Sequence, residues 1–572
     1  MLLKQNNLLS EKELDKLLLD ASIIEKEELE ALRKESKKLK KPLNELLFER
    51  NFVSEKYLAK LIADFLKVPF VDLSLVKLKK SILDLVPKRI CKEKRVIPFS
   101  REKDKLFLAM VNPKDQQTVR IIQDLTGLEV VTYLASERQI TRALFQLERN
   151  IREEFKKIIQ KSLPHFTSKK AWGKKEISKK PRGEKAIREI VNAILEFAIF
   201  ERASEILIEE VEKNILVCFR IDSILREVTI LPKKLFLLIV KYFQKQLDIP
   251  VKEKNFKGSF CFKIGRESFL LPLSVNNSFL KRIKVLVPQE EYLESGLAEL
   301  SLFPIDIARI KKSFKKPEGM VVIAGPEHSG RTTLCYTFLR LLNQEEKNIC
   351  TLEDSVRESI DRITQIDKSF LKDISEIDTV KAILNTNPEV VIIEGLSDSQ
   401  ALEELALYSQ VGNLVVLKIG AEGVFEALLN LLNLTGEEYL GALGPKLLIA
   451  GRLVRRICPF CSEEEILTKE TKEELKALAE GIDLKKFFEK KPRFYSGNGC
   501  SQCYFTGFQG QIGIFEVLEI DELLQKDLKR GAPLSVIREK ARKKGFTSLF
   551  ENALQKAAAG ETSLREIIRI LK

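Results

Sequence analysis

Apolar positions change period several times along the chain, and the changes divide it. Early on they recur at i, i+3, i+4. NNLLSEKELDKLLLDA from Asn6 and RNFVSEKYLAKLIADF from Arg50 superpose with an offset of 44 residues, placing Ser10 on Ser54, Leu14 on Leu58 and Leu17 on Leu61. Ser10 and Ser54 each precede such a pattern, which predicts an N-cap and an amphipathic helix. A weaker third copy starts near Ser22, so residues 1–66 read as an N-terminal helical repeat. Alternating runs follow (VPFVDL, RVIPFS, KLFLAMV) with helix patterns between them, a small α/β unit over 67–152. Across 153–185 the periodicity fades into a lysine-rich stretch with Pro and Gly. It reads as a basic linker, a solvated tether with contact to acidic lipid as the alternative. A helix from Ala186 and the strands EILIEE, ILVCFRID and ILREV make a middle α/β domain, 186–288. Strands and helices alternate over 289–572, with a cysteine-bearing part at 455–515 and a helical region at 516–572.

Within this last part, MVVIAGPEHSGRTTLCYTFLRLL is an apolar strand, a glycine-bearing loop and an amphipathic helix. Gly325 to Thr332 fits the phosphate-loop pattern GxxxxGK[ST], except that Arg331 replaces lysine. Such a loop wraps backbone N–H groups around phosphate at a helix N-terminus and adds a cation and a hydroxyl for magnesium. Gly325, Ser329, Gly330, Arg331, Thr332 and Thr333 are the candidate ATP-binding residues. Glu327 and His328 add bulk there, and Glu327 a negative charge. The alternative is a strand–loop–helix corner with no ligand. About 60 residues further on, the buried strand EVVII ends at Glu394-Gly395, where a phosphate-loop enzyme places the carboxylate that holds magnesium or orients water.

Cys458-Pro-Phe-Cys461 and Cys500-Ser-Gln-Cys503 are two CxxC knuckles. Together they predict a closed shell of four thiolates around a structural zinc. Of nine cysteines, the other five are scattered singly and read as small buried hydrophobes. The count excludes a disulfide framework. Two histidines, His165 and His328, exclude imidazole-rich chemistry. The net charge, +14 from 97 basic and 83 acidic residues, permits an anionic partner. No nucleic-acid recognition motif accompanies it, so nucleic acid is not an expected partner. No run nears the roughly 18 apolar residues of a membrane span, and the N-terminus lacks a secretory core, which places the chain in the cytoplasm.

The motif order resembles that of the type II secretion and type IV pilus assembly ATPases. The resemblance runs from VPFVDL to LASERQI, through ASEILIEE and FRIDSILREV, the phosphate loop and TLEDSV, to GRLVRRICPFC and GCSQCYFTGFQGQIGIFEVLEI. It implies a RecA-like ATPase core carrying the zinc subdomain and C-terminal helices. It also implies a homo- or hetero-hexamer at the inner membrane, docked on assembly-platform proteins and using ATP and Mg, with Glu353 and Glu394 as candidate catalytic carboxylates. Departures accompany it. The family's GPTGSGKT has become GPEHSGRT, and SDIHIEP has become SEILIEE. DPDVVMVGEIRD corresponds to NPEVVIIEGLSD, so Gly395 holds the glutamate's place and Glu394 stands one residue early. GNLVVLKIGAEGV puts Asn413 and Gly420 where the family has histidines, and the stretch around Lys254 and Pro272 lacks the expected arginines. Some family N-terminal domains bind cyclic di-GMP. Pro42, Asn44, Asn51 and Phe65 replace the residues of that pattern, which predicts no such binding. Two readings follow: an active hexameric motor with Arg331 in the lysine's role, or a subunit that binds ATP weakly or not at all and hydrolyses it poorly.

Overall fold

The computed structural model describes residues 8–572 apart from 164–180, 289–295 and 436–444, with short gaps at 22, 51, 149–150, 213, 266, 279, 317, 345, 372–373, 480–481, 483, 490, 501 and 504. Ser10 caps α1 (Glu11–Asp20), its hydroxyl accepting from Glu13 N at 3.3 Å, and Ser54 caps α4 (Glu55–Leu66), accepting from Tyr57 N at 3.2 Å. Between them lie α2 (Lys26–Leu39), preceded by Glu25, and α3 (Leu43–Glu49). Ser22, where the third copy was expected, falls outside the described residues. Leu18, Leu29, Leu46, Leu58 and Ile62 share one core, as the helical spacing requires.

A three-stranded sheet follows: β1 (Val96–Glu102), β2 (Lys105–Met110) and β3 (Glu129–Leu134), with β1 antiparallel and β3 parallel to β2. VPFVDL, expected as a strand, makes only an isolated bridge from Phe70 to Leu134. Of the tether expected at 153–185, residues 164–180 lie outside the described residues, and both flanks are helical. Ile151–Ser162 is a helix that lays Ile151, Phe155 and Ile159 into the core of the next unit, beside the helix Pro181–Phe200. That core backs an antiparallel sheet ordered β6-β5-β4-β9-β8-β7, from β4 (Glu205–Val211), β5 (Asn214–Ile221), β6 (Ile224–Pro232), β7 (Asn255–Ile264), β8 (Glu267–Asn276) and β9 (Arg282–Leu286).

The largest sheet has seven strands ordered β12-β11-β13-β14-β10-β15-β18. They are β10 (Gly319–Ala324), β11 (Ile349–Glu353), β12 (Ile363–Asp367), β13 (Val390–Glu394), β14 (Leu414–Ile419), β15 (Pro445–Ile457) and β18 (Phe508–Glu519), parallel except for the β15–β18 pair. Val321 and Ile323 face the helices Pro304–Lys315 and Arg331–Leu342. Met320 and Val322 face Glu376–Leu384, Ser399–Gln410 and Val424–Thr435. Both faces are covered, which is why these strands read as unbroken apolar runs. The knuckle region, with its antiparallel pair β16 (Ser462–Glu465) and β17 (Phe494–Gly497), is an insertion between β15 and β18. The boundary expected at 515/516 therefore falls inside β18, whose pairing with β15 runs from Phe508 to Glu519.

Candidate functional site

The loop Gly325–Gly330 joins the end of β10 to the helix Arg331–Leu342. Gly325 has φ +155, and a Cβ there would stand 2.2 Å from Ser329 Oγ, so only glycine lets the loop close over that hydroxyl. Ser329 is 3% exposed and its Oγ is buried without a hydrogen-bond partner. A phosphate oxygen would satisfy it. His328 takes φ +61 where the family has glycine, and its Nε2 lies 3.7 Å from Glu205 Oε2. Burial lowers its pKa.

Above the loop is a cavity of 390 Å³, bounded by the middle sheet (Ser204, Arg220, Lys284), the loop, and Gln511–Gly513 of β18. Its size suits a small-molecule ligand. All six expected ATP-binding residues except Gly325 line it, and so does Glu394. Glu353 does not. It sits behind the lining and accepts from Tyr336 Oη (2.8 Å), Thr351 Oγ1 (2.7 Å) and Gln365 Nε2 (3.1 Å), while burial raises its pKa. Its neighbour Asp354 is the one at the cavity, paired with Lys368 at 3.2 Å.

The sequence reading missed Lys418. In the parallel β13–β14 ladder Glu394 is opposite Lys418, so both side chains leave the C-terminal ends of their strands on one face. Lys418, only 4% exposed, donates from Nζ to Thr332 Oγ1 at 2.9 Å and forms an ion pair with Glu394 Oε1. Burial alone would raise the Glu394 carboxyl; the ammonium prevails and holds it below its ordinary value. Asp354 N donates to the second Glu394 oxygen at 3.3 Å. A phosphate-loop magnesium is held by the loop's hydroxyl and an acidic side chain at a strand end. Here those two groups already share a cation, so the donor set does not fit magnesium. Arg331 is also engaged, its NH1 donating to Ile419 O at 2.8 Å. Arg220, Lys284 and Arg357 were missed as well; they line the cavity although Lys254 and Pro272 supply no arginine. A lysine inside the apolar run LVVLKI was the signal for Lys418.

The four knuckle cysteines come together between the end of β15 at Ile457 and the start of β18 at Phe508, with Sγ···Sγ distances of 3.9 Å (Cys458–Cys500), 3.8 Å (Cys461–Cys503) and 3.8 Å (Cys500–Cys503). A tetrahedral ion with metal–sulfur bonds of about 2.3 Å spaces its sulfurs about 3.8 Å apart. The set fits such an ion with no open position. Cys503 accepts from Cys500 N (3.1 Å) and Gly507 N (3.3 Å). Burial raises its pKa, but these donors outweigh burial and hold the thiol at about 7. Gly507, at φ +77, can carry no side chain, because its Cβ would meet Gly497 O at 2.2 Å.

Comparison with known proteins agrees with this layout. Type IV pilus assembly ATPase PilB of Pseudomonas aeruginosa is 26% identical over 573 residues, covering 98% of both chains. Type II secretion system ATPase E of Vibrio cholerae is 29% identical over 393 residues, covering 68% of this chain and 75% of that protein. Among solved structures, the Legionella pneumophila ATPase DotB covers 66% of this chain and 94% of its own at TM-score 0.47 and 16% identity. The pilus retraction motor PilT with bound ADP covers 66% and 96% at TM-score 0.43 and 15% identity. Residues 66–154 match the MshEN domain. MshEN is a c-di-GMP-binding domain, which conflicts with the expectation of no such binding. The departures behind that expectation, of which Asn51 is outside the described residues, all precede residue 66. Residues 180–569 match the family described as type II/IV secretion system protein, and the chain belongs to that family.

Proposed function

We propose that the chain is a cytoplasmic ATPase-family subunit of a type II secretion or type IV pilus assembly machine, binding ATP weakly and hydrolysing it poorly. The observation that carries this is the Lys418 ammonium joined to both Thr332 and Glu394. It occupies the hydroxyl and the carboxylate that phosphoryl transfer would use for metal and water. Arg331, tied to the Ile419 carbonyl, does not reach into the loop as a free cation. ATP phosphates would meet Ser329 Oγ and the N–H groups of Gly330 to Thr333. In this reading the four-cysteine ion is a structural zinc, the assembly is a hexamer, and the partners are inner-membrane platform proteins. No described helix is long and apolar enough to cross a membrane.

An active motor is the second reading. Arg220, Lys284 and Arg357 at the cavity favour it, because cations there would stabilise transferring phosphoryl charge. Turnover of Mg-ATP by the purified protein, alongside Arg331→Lys and Arg331→Ala, separates the two. No turnover above the Arg331→Ala background is expected. Robust turnover that collapses in Arg331→Ala would overturn the impaired reading.

A further inference from the structure

The contact between Lys418, Thr332 and Glu394 has a further implication. Magnesium in a phosphate-loop site bridges the loop's hydroxyl and the phosphates while an acidic strand end balances its charge. In this chain a cation already stands between hydroxyl and carboxylate, supplied by the side chain of Lys418. Three facts make it a built feature rather than a surface lysine that happens to be near. Lys418 is 4% exposed in the middle of the sheet. It is opposite Glu394 across one ladder and opposite Ile323, at the end of the phosphate-loop strand, across the other. Its ammonium makes both contacts at once.

A buried ammonium needs partners to offset desolvation, and three donors allow three of them. Thr332 and Glu394 use two, leaving one for a ligand oxygen. The buried, unpartnered Ser329 Oγ in the adjacent loop needs a partner too. A phosphate oxygen above the helix N-terminus meets both requirements. The same cavity is also lined by Leu286, Val287, Pro288 and Ile512, apolar surface for which a bare phosphate has no use and which suits a nucleoside.

We infer that Lys418 replaces magnesium in this site, and that the cavity takes a nucleoside di- or triphosphate as the metal-free anion. This rests on the reading of the cavity as a nucleotide site. It goes beyond that reading by assigning the cation. A single positive charge in place of a double one anchors phosphate while giving less stabilisation to transferring charge, which accords with binding that outlasts chemistry.

The test is calorimetric titration of the full-length protein with ADP, ATP and inorganic pyrophosphate, in excess EDTA and then in magnesium. ADP and ATP affinities should agree within about threefold between the two conditions, with pyrophosphate at least about tenfold weaker. Lys418→Met, of similar length but without charge, should lose about tenfold or more of its metal-free ADP affinity. Wild-type ADP affinity at least about tenfold tighter in magnesium than in EDTA overturns the inference and leaves the nucleotide site standing. Unchanged metal-free affinity in a folded Lys418→Met protein also overturns it. Pyrophosphate binding as tightly as ADP overturns the nucleoside as ligand. Binding of none of the three in either condition overturns the nucleotide reading and the inference together. Should Lys418→Met fail to fold, the comparison of EDTA with magnesium on the wild type decides alone.

Discussion

At the scale of single residues, Glu394 and Lys418 stand or fall together. Their side chains are 19% and 5% exposed, so each is the other's main compensation for lost water. Glu394→Gln leaves the ammonium buried and half-paired, and chemical denaturation should show a loss of roughly 3 kcal/mol. Lys418→Met combined with Glu394→Gln should cost clearly less than the two single changes summed, the signature of coupling in a double-mutant cycle. Additive losses would show the pair to be incidental. The pH dependence has a fixed sign. The folded carboxyl titrates below its ordinary 4.5, so the pair's contribution is present above 4.5 and is lost as pH falls through the lowered folded value. Much of this neighbourhood was readable beforehand. Gly325, Gly330 and Thr332 announce the loop because spacing and residue type define its geometry. Lys418 was not read because a single charge in LVVLKI does not alter an apolar period. Its meaning comes from the strand beside it, and register is a property of two segments.

Whole elements show the same division. Buried parallel strands such as β10, β13 and β14 are continuous apolar runs, and the residues alone place them. The helix Ile151–Ser162 was hidden by composition. Its Ile151, Phe155 and Ile159 keep helical spacing, but its four basic residues, Arg152, Lys156, Lys157 and Lys161, make the stretch look like a tether. β18 runs through the expected 515/516 boundary, and Lys556 secures it from the side. That lysine, 3% exposed, donates at 2.5 Å to Gly513 O of β18 and to Ser301 O of the segment before β10. Burial lowers its pKa from 10.5 to about 8. Between about pH 8 and 10.5 the unfolded chain therefore holds more of this proton than the folded one, and folding stability rises with pH across that window. Below about pH 8 the full penalty is in force. Thermal unfolding of wild type and Lys556→Met should show this rise in the wild type alone; parallel profiles would refute it.

On the scale of the whole molecule, contacts distant in sequence set how the N-terminal units sit on the core. Ser54, the cap of α4, donates from N (2.8 Å) and Oγ (2.5 Å) to the carboxylate of Glu299, whose pKa burial raises. Lys315 pairs with Glu25 at 3.1 Å. Such contacts leave no periodic trace, since neither partner's own segment requires them. The cysteine insertion adds more. Gln502 accepts from Lys77 N at 3.0 Å, Gln509 donates to the Leu75 carbonyl, and Phe460 packs into the core of the unit built on β1–β3. All three residues lie within or just beyond the knuckles. Treating the purified protein with a chelator for an ion these thiols could hold, or replacing Cys458 with Ser, is expected to speed hydrogen exchange around Leu75–Lys77 as well as at the knuckles; an unchanged rate there would separate the two.

The insertion is thus more than a staple within the core. Sulfurs less than 4 Å apart with no ion between them are in reach of one another for oxidation. A clasp made of thiols would make the seating of the N-terminal region answer to redox state and metal supply, quantities that no nucleotide reports.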